Sequence, residues 1–99
     1  MDNVECCIIR VDCFPYDINN FIDGDYYGFD FYVDIDKRIE MVNYIIELFS
    51  ELDIPIIKIN YHNTTMIDKN RLYDEEMIKN EVVKNLSVIE EELNKFYKR

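Results

Sequence analysis

The chain contains no alanine, glutamine or tryptophan, and only two glycines, two prolines and one histidine among its 99 residues. Each shortage excludes a class of chemistry. Gly24 and Gly28 are the only glycines and neither precedes a helix-forming segment, so no glycine-rich loop can cradle a phosphate, and P-loop and dinucleotide-binding enzymes are ruled out. Every histidine-dependent mechanism would have to pass through His62. The apolar runs Cys6-Cys7-Ile8-Ile9 and Ile54-Pro55-Ile56-Ile57 are far below the ~20 residues of a membrane span, so no membrane helix is expected. Met1 to Glu5 lack the basic stretch of a secretory signal, which makes a cytoplasmic location the expectation.

Three cysteines cannot all pair internally. Cys7 and Cys13 lie on one predicted strand and would be ~20 Å apart at ~3.3 Å per residue, so reduced, buried thiols are expected. The composition is 48% hydrophobic with fifteen isoleucines, too apolar for a disordered acidic chain despite a net charge of −10. One α+β domain over residues 1–99 is the natural reading of that length. Ten asparagines, eight tyrosines and no alanine are the bias that A/T-rich coding gives, and they specify no chemistry.

What the chain has in excess is aspartate in one place. Between Arg10 and Lys37 stand Asp12, Asp17, Asp23, Asp25, Asp30, Asp34 and Asp36 with no basic residue, so this stretch holds −7 of the −10. It also holds eight of the fourteen aromatics, Phe14, Tyr16, Phe21, Tyr26, Tyr27, Phe29, Phe31 and Tyr32. It ends in an alternation, Phe29 to Asp36, that predicts a strand burying Phe29, Phe31, Val33 and Ile35 while Asp30, Tyr32, Asp34 and Asp36 face water.

Residues 4–14 read as a first strand with Cys7, Ile9, Val11 and Cys13 on the core face and Arg10 and Asp12 opposite. A long loop over 15–28 follows, carrying the Asn19-Asn20 and Asp23-Gly24-Asp25 turn signals. After the second strand, Asp36 is a suitable N-cap for an amphipathic helix whose apolar stripe is Val42, Ile45, Phe49 and Leu52, ended by Asp53-Ile54-Pro55. Residues 56–62 form a third strand, and a strand-helix-strand crossover of this length predicts that strands two and three pair in parallel. Residues 63–73 are ambiguous between a fourth strand and a turn. From Asp74 onward, Ile78, Val82, Leu86, Ile89, Leu93 and Phe96 repeat at helical spacing, predicting one helix of about 25 residues, ~37 Å long. The expected architecture is a small mixed sheet of three to four strands with two helices on one face, in the order β-β-α-β-(β)-α. The other sheet face would be polar and would carry Arg10, Asp12, Asp30, Tyr32, Asp34, Asp36, Lys58, Asn60 and His62.

The acidic stretch has three competing uses. A solvated strand face and loop need no function at all. A cation site can be drawn by laying Asp23, Asp25, Gly28 and Asp34 on a calcium loop. However, Tyr27 stands where a ligand belongs, Asp34 replaces the bidentate glutamate, and a strand follows where a helix is required, so no metal and no cofactor is expected. A zinc site fails on the absence of any C-x-x-C pair, and thiol catalysis fails because Cys7 and Cys13 fall on the core face. Asp30 and Asp34 would be ~13 Å apart along a straight strand, too far for paired-acid glycoside hydrolysis.

Tyrosines mixed with carboxylates suit a cationic protein, because rings supply contact area and cation–π attraction while carboxylates accept arginines and steer encounter. The same surface repels phosphate and anionic lipid, which disfavours direct nucleic-acid or membrane binding. The expectation is therefore a non-enzymatic inhibitor of a basic nucleic-acid-binding protein or nuclease, of the immunity, antitoxin or phage anti-defence kind. The expected contact residues are Asp23, Asp25, Tyr26, Tyr27, Asp30, Tyr32, Asp34 and Asp36. The alternative is a self-assembling module that dimerises through Leu93, Phe96 and Tyr97 of the C-terminal helix, with the acids serving only solubility.

Overall fold

The cysteine-rich, β-branched opening segment forms β1 (Asn3–Cys13), and the alternating segment forms β2 (Tyr27–Asp34), two residues earlier than expected, while the rest of the expected loop lies outside the described residues. A computed structural model describes residues 3–13 and 27–85, and within it β1 lies between β2 and β3 (Ile56–Asp68). Both partners run antiparallel to β1, from Cys6↔Asp34 to Cys13↔Tyr27 on one side and from Asn3↔Asp68 to Cys13↔Ile56 on the other. This corrects the expected mixed sheet, since among the described residues the sheet is antiparallel and β2 and β3 are not neighbours. They do point the same way, each being antiparallel to β1. The helix between them carries the chain across the width of β1 instead of to an adjacent slot, and two strand spacings of ~4.8 Å are as easily bridged by a helical crossover as one.

That crossover is α1 (Arg38–Glu51). Its entry differs from expectation, because β2 ends at Asp34 and Ile35–Lys37 form a 3-10 turn. Asp34 Oδ1 accepts the backbone N–H of Asp36 at 2.9 Å and so caps the 3-10 turn, while the N-cap position of α1 itself falls to Lys37, which makes no side-chain cap, and not to Asp36. Ile35 is consequently only partly buried, where strand alternation predicted a core position. Arg38 ties off the turn by donating Nη1–H to the Ile35 carbonyl at 2.6 Å.

The buried face of α1 is Met41, Ile45, Leu48 and Phe49, with Val42 and Leu52 packed at its margin. The helix is thus turned slightly from the predicted stripe, keeping Ile45 and Phe49 central. It ends in a Schellman arrangement in which Ile54 N–H reaches the Phe49 carbonyl at 2.9 Å and Asp53 N–H reaches Ser50 at 3.2 Å. Asp53 supplies the left-handed residue this turn needs, at φ 56°, where glycine would be unstrained.

The second helix, α2, is described over 75–85, and the rest of the expected helix of about 25 residues lies outside the described residues. It begins where the sequence suggested, and Asp74 caps it, its Oδ1 accepting Met77 N–H at 2.8 Å. Leu86, Ile89, Leu93, Phe96 and Tyr97, and with them the expected dimer contact, lie outside the described residues. Residues 63–68 settle as the continuation of β3, not as a fourth strand, and Lys69–Arg71 form a 3-10 turn.

One contiguous core joins the sheet and both helices. Cys7, Ile9, Val11 and Cys13 from β1 and Phe29, Phe31 and Val33 from β2 pack on Met41, Ile45, Leu48 and Phe49 of α1 and on Ile78 and Val82 of α2. Phe29 stacks on Phe31 at 5.7 Å and meets Phe49 edge-on at 5.9 Å, and Phe31 meets Tyr73 edge-on at 5.5 Å. Removing either buried phenylalanine ring would cost ~3–5 kcal/mol. Two bulges in β3, between the Cys6 and Ile8 pairings and between those of Asp12 and Cys13, each give β3 one extra residue. The regular stretch between them puts Ile59 and Tyr61 on the helix side and Lys58, Asn60 and His62 on the other.

The strained left-handed position generates a test. Asp53→Gly should raise stability by about 0.5–1 kcal/mol, read as a higher urea midpoint with an unchanged slope, since it relieves φ strain without touching the core.

Candidate functional site

On the face away from the helices, cross-strand register lines up three rows: Tyr32–Ile8–His62, Asp30–Arg10–Asn60 and Gly28–Asp12–Lys58. Arg10, the only base in the first 36 residues, therefore sits at the centre of the acidic face. Its Nε–H donates to Asp12 Oδ1 at 3.0 Å and its Nη1–H to Asp30 Oδ2 at 3.0 Å, so one guanidinium holds a carboxylate of its own strand and one of β2. The hydrogen bond to Asp12 and the charge of Asp30 push the Arg10 pKa further above its ordinary value, with partial burial opposing. Gly28 makes the arrangement possible, because a Cβ there would run into the guanidinium.

This arrangement changes the standing of the predicted residues. Asp30 is exposed but engaged by Arg10, and Asp34 is engaged in capping. Asp36 is exposed on the 3-10 turn, off the strand face on which alternation placed it beside Asp34. Tyr32 is half-buried on the open face, and its backbone carbonyl accepts Tyr73 N–H at 2.7 Å. Tyr27 belongs to the β2 backbone opposite Cys13, while Asp23, Asp25 and Tyr26 lie outside the described residues. Of the eight residues, the fold thus brings Asp30, Tyr32 and Asp34 onto one strand face and sets Asp36 at its end.

Sequence reasoning passed over three features. Arg10 and Asp12 share a strand face at i and i+2, which was the available signal for the ion pair. Tyr44 of α1 has its hydroxyl pKa raised by burial and then by the charges of Glu75 and Glu51, which places an acidic, tyrosine-bearing patch on the helix side as well. Tyr73 is likewise pushed up by burial, then by Glu81 and Tyr32. Nothing in the linear pattern joined Glu51 to Glu75, because only the packing of α2 beside α1 does so.

The thiols are core groups. Cys6, Cys7 and Cys13 are all fully buried, and burial raises the pKa of each, that of Cys13 to about 12 with the neighbouring Asp12 adding to the effect. They are held as neutral thiols, the unreactive form. Cys6 is the exception to the face pattern: it is buried on the side opposite Cys7, between Asp34 and Thr65 in the register. Among the described residues no three His, Cys, Asp or Glu side chains converge into a cation site.

No protein-family model matches this chain, and comparison with curated proteins and with solved structures returns no significant match. Among the described residues no helix is long and apolar enough to cross a membrane.

The buried thiols predict an alkaline limit to stability. A thiol whose pKa rises from 9.0 unfolded to about 12 folded contributes its stabilisation in full below pH 9.0 and loses it as pH climbs toward about 12. Urea midpoints should accordingly hold up to pH 9 and fall above it, and a thiol reagent at pH 8 should react with three groups only after denaturation.

Proposed function

We propose that this chain is a small, acidic, non-enzymatic binding protein of the cytoplasm that occupies the anion-binding surface of a basic nucleic-acid-binding protein or nuclease. Immunity proteins, antitoxins and phage anti-defence proteins work in this way. The observation that carries the reading is the Arg10 contact: carboxylates from two strands already accept one guanidinium at 3.0 Å each, so the face has the spacing that an arginine requires. Arginines of a partner would meet the carboxylates that Arg10 leaves over. These are Asp36 and Asp34 at the end of β2, with Asp30 sharing its second lone-pair sites.

Asp23, Asp25 and Tyr26, which precede β2, and Tyr27 at its start extend that surface in sequence, and Tyr32 supplies a ring within it. A net charge of −10 speeds encounter with a cationic site and repels nucleic acid itself. The neutral, buried thiols and the capping duty of Asp34 assign those groups structural work, and they support a binding role over a catalytic one.

A tagged copy should retain a basic protein from a cell extract at low salt. Asp30→Asn, Asp34→Asn and Asp36→Asn together should weaken that capture about tenfold or more while leaving the circular dichroism unchanged, since asparagine can still cap the turn. Arg10→Met should act oppositely, releasing Asp12 and Asp30 and tightening capture severalfold. Retention that survives the triple change would overturn the assignment of the site.

A further inference from the structure

The described sheet has two unlike edges. On the β2 side, Tyr73 N–H bonds to the Tyr32 carbonyl, so that edge is already met by the chain's own backbone. On the other side runs β3, a 13-residue strand along which no described strand pairs. A long strand edge presents a row of backbone donors and acceptors to any second strand.

That edge is also where apolar surface collects. Of the seven large hydrophobic side chains left exposed among the described residues, five lie on α1 and β3: Ile39, Ile46, Ile57, Tyr61 and Met66. Ile39, 70% exposed, and Ile46 continue one helical row with Val42, and this row runs beside Tyr61, itself 59% exposed. Arg38, Ile39, Val42, Asn43 and Tyr61 line a shallow cleft of about 210 Å³ between helix and strand.

The charge along this edge is ordered. Residues 56–68 hold one base, Lys58, and one acid, Asp68, and are neutral in a chain of −10. Immediately before β3 stand exposed Glu51 and Asp53, and immediately after it stand exposed Lys69 and Arg71. The strand therefore has an acidic end and a basic end.

We infer that β3 is the interface for a second copy of this chain, the two strands pairing antiparallel about a twofold axis near residues 60–62 so that the two described sheets join into one. Antiparallel self-pairing sets the Glu51/Asp53 end of each copy against the Lys69/Arg71 end of the other, whereas parallel pairing would oppose like charges. The neutral strand is where two chains of −10 can approach most closely. The bulges on either side confine regular pairing to Lys58–His62. Within that stretch Ile59 and Tyr61 of both copies meet on the helix face, flanked by the Ile39–Val42–Ile46 row of each α1. A twofold axis makes the contact isologous, so each β3 edge is used up by its own partner and pairing closes at two copies. This interface is independent of the acidic face proposed above and uses none of its residues.

Light scattering across a concentration series should give a particle of twice the 12.0 kDa chain mass. Hydrogen exchange should show protection of the amides over 58–62 that rises with protein concentration. Lys69→Glu with Arg71→Glu, which sets acid against acid at both ends, should raise the dissociation constant about tenfold or more, and adding Glu51→Lys with Asp53→Asn should restore it. Tyr61→Lys should yield a monomer with an unchanged far-ultraviolet dichroism spectrum. A monomer at several hundred micromolar, or a dimer indifferent to both the charge reversal and Tyr61→Lys, would overturn the inference.

Discussion

Antiparallel pairing of β1 with two partners at once constrains the rest of the molecule. Flanked on both sides by backbone hydrogen bonds, β1 has one face committed to Cys7, Ile9, Val11 and Cys13, all fully buried, and the register then dictates what stands beside each of them. On β2 the partners of Cys7, Ile9 and Val11 are Val33, Phe31 and Phe29, so the apolar half of the alternation is drawn into the core and the aspartates are turned out. A slip of one residue would reverse both sets, placing Asp30 under α1 and Phe31 in water. The aromatic contacts from Phe29 to Phe49 and from Phe31 to Tyr73 then lock the register to the helices.

The central strand also sets the electrostatics. In a chain of −10, one guanidinium in the middle of the acidic face lowers the repulsion between β1 and β2 that Asp12 and Asp30 would otherwise generate. Both pairs are partly solvated, so their direct contribution to stability is small, ~0–1 kcal/mol each. Their larger consequence is to divide the carboxylates into two groups. Asp12 and Asp30 are held in place by the protein's own cation, while the carboxylates of the strand end and the turn remain open to another molecule.

Much of this was legible from local pattern. Period-two alternation placed the core faces of β1 and most of β2 correctly, and helical spacing placed Ile45, Phe49, Ile78 and Val82 inside. The start of α2 at Asp74 and Asp53-Ile54-Pro55 as a stop followed from chemistry that acts within four residues. What failed was non-local. A crossover's length fixes the relative direction of β2 and β3 but not whether β1 lies between them, since the core face of β1 has the same composition in either slot. The capping of a 3-10 turn by Asp34, ahead of α1, escaped notice because Asp34 and Asp36 both suit a capping role, and only the 3-10 turn distinguishes them. In β3 the bulge between the pairings of Lys58 and Ile56 makes Ile57 the extra residue, and it is 45% exposed. On the acidic face, counting charges by segment gave −7 correctly yet missed that Arg10, one residue outside the segment, lies at its centre in space.

The same topology separates the molecule's two candidate surfaces. Because β1 is central, the acidic edge strand β2 and the neutral edge strand β3 lie on opposite margins of the sheet. The β2 margin, where Tyr73 N–H takes the Tyr32 carbonyl, is dressed in carboxylates, which leaves it suited to side-chain recognition of cations. The β3 margin, along which no described strand pairs, is nearly uncharged along its length, which leaves it suited to backbone pairing. Had β2 and β3 been neighbours, the acidic carboxylates and the apolar row beside α1 would have shared one margin, and desolvating either would have meant burying the other's charge. A central β1 removes that conflict, so each margin can be occupied without reference to the other.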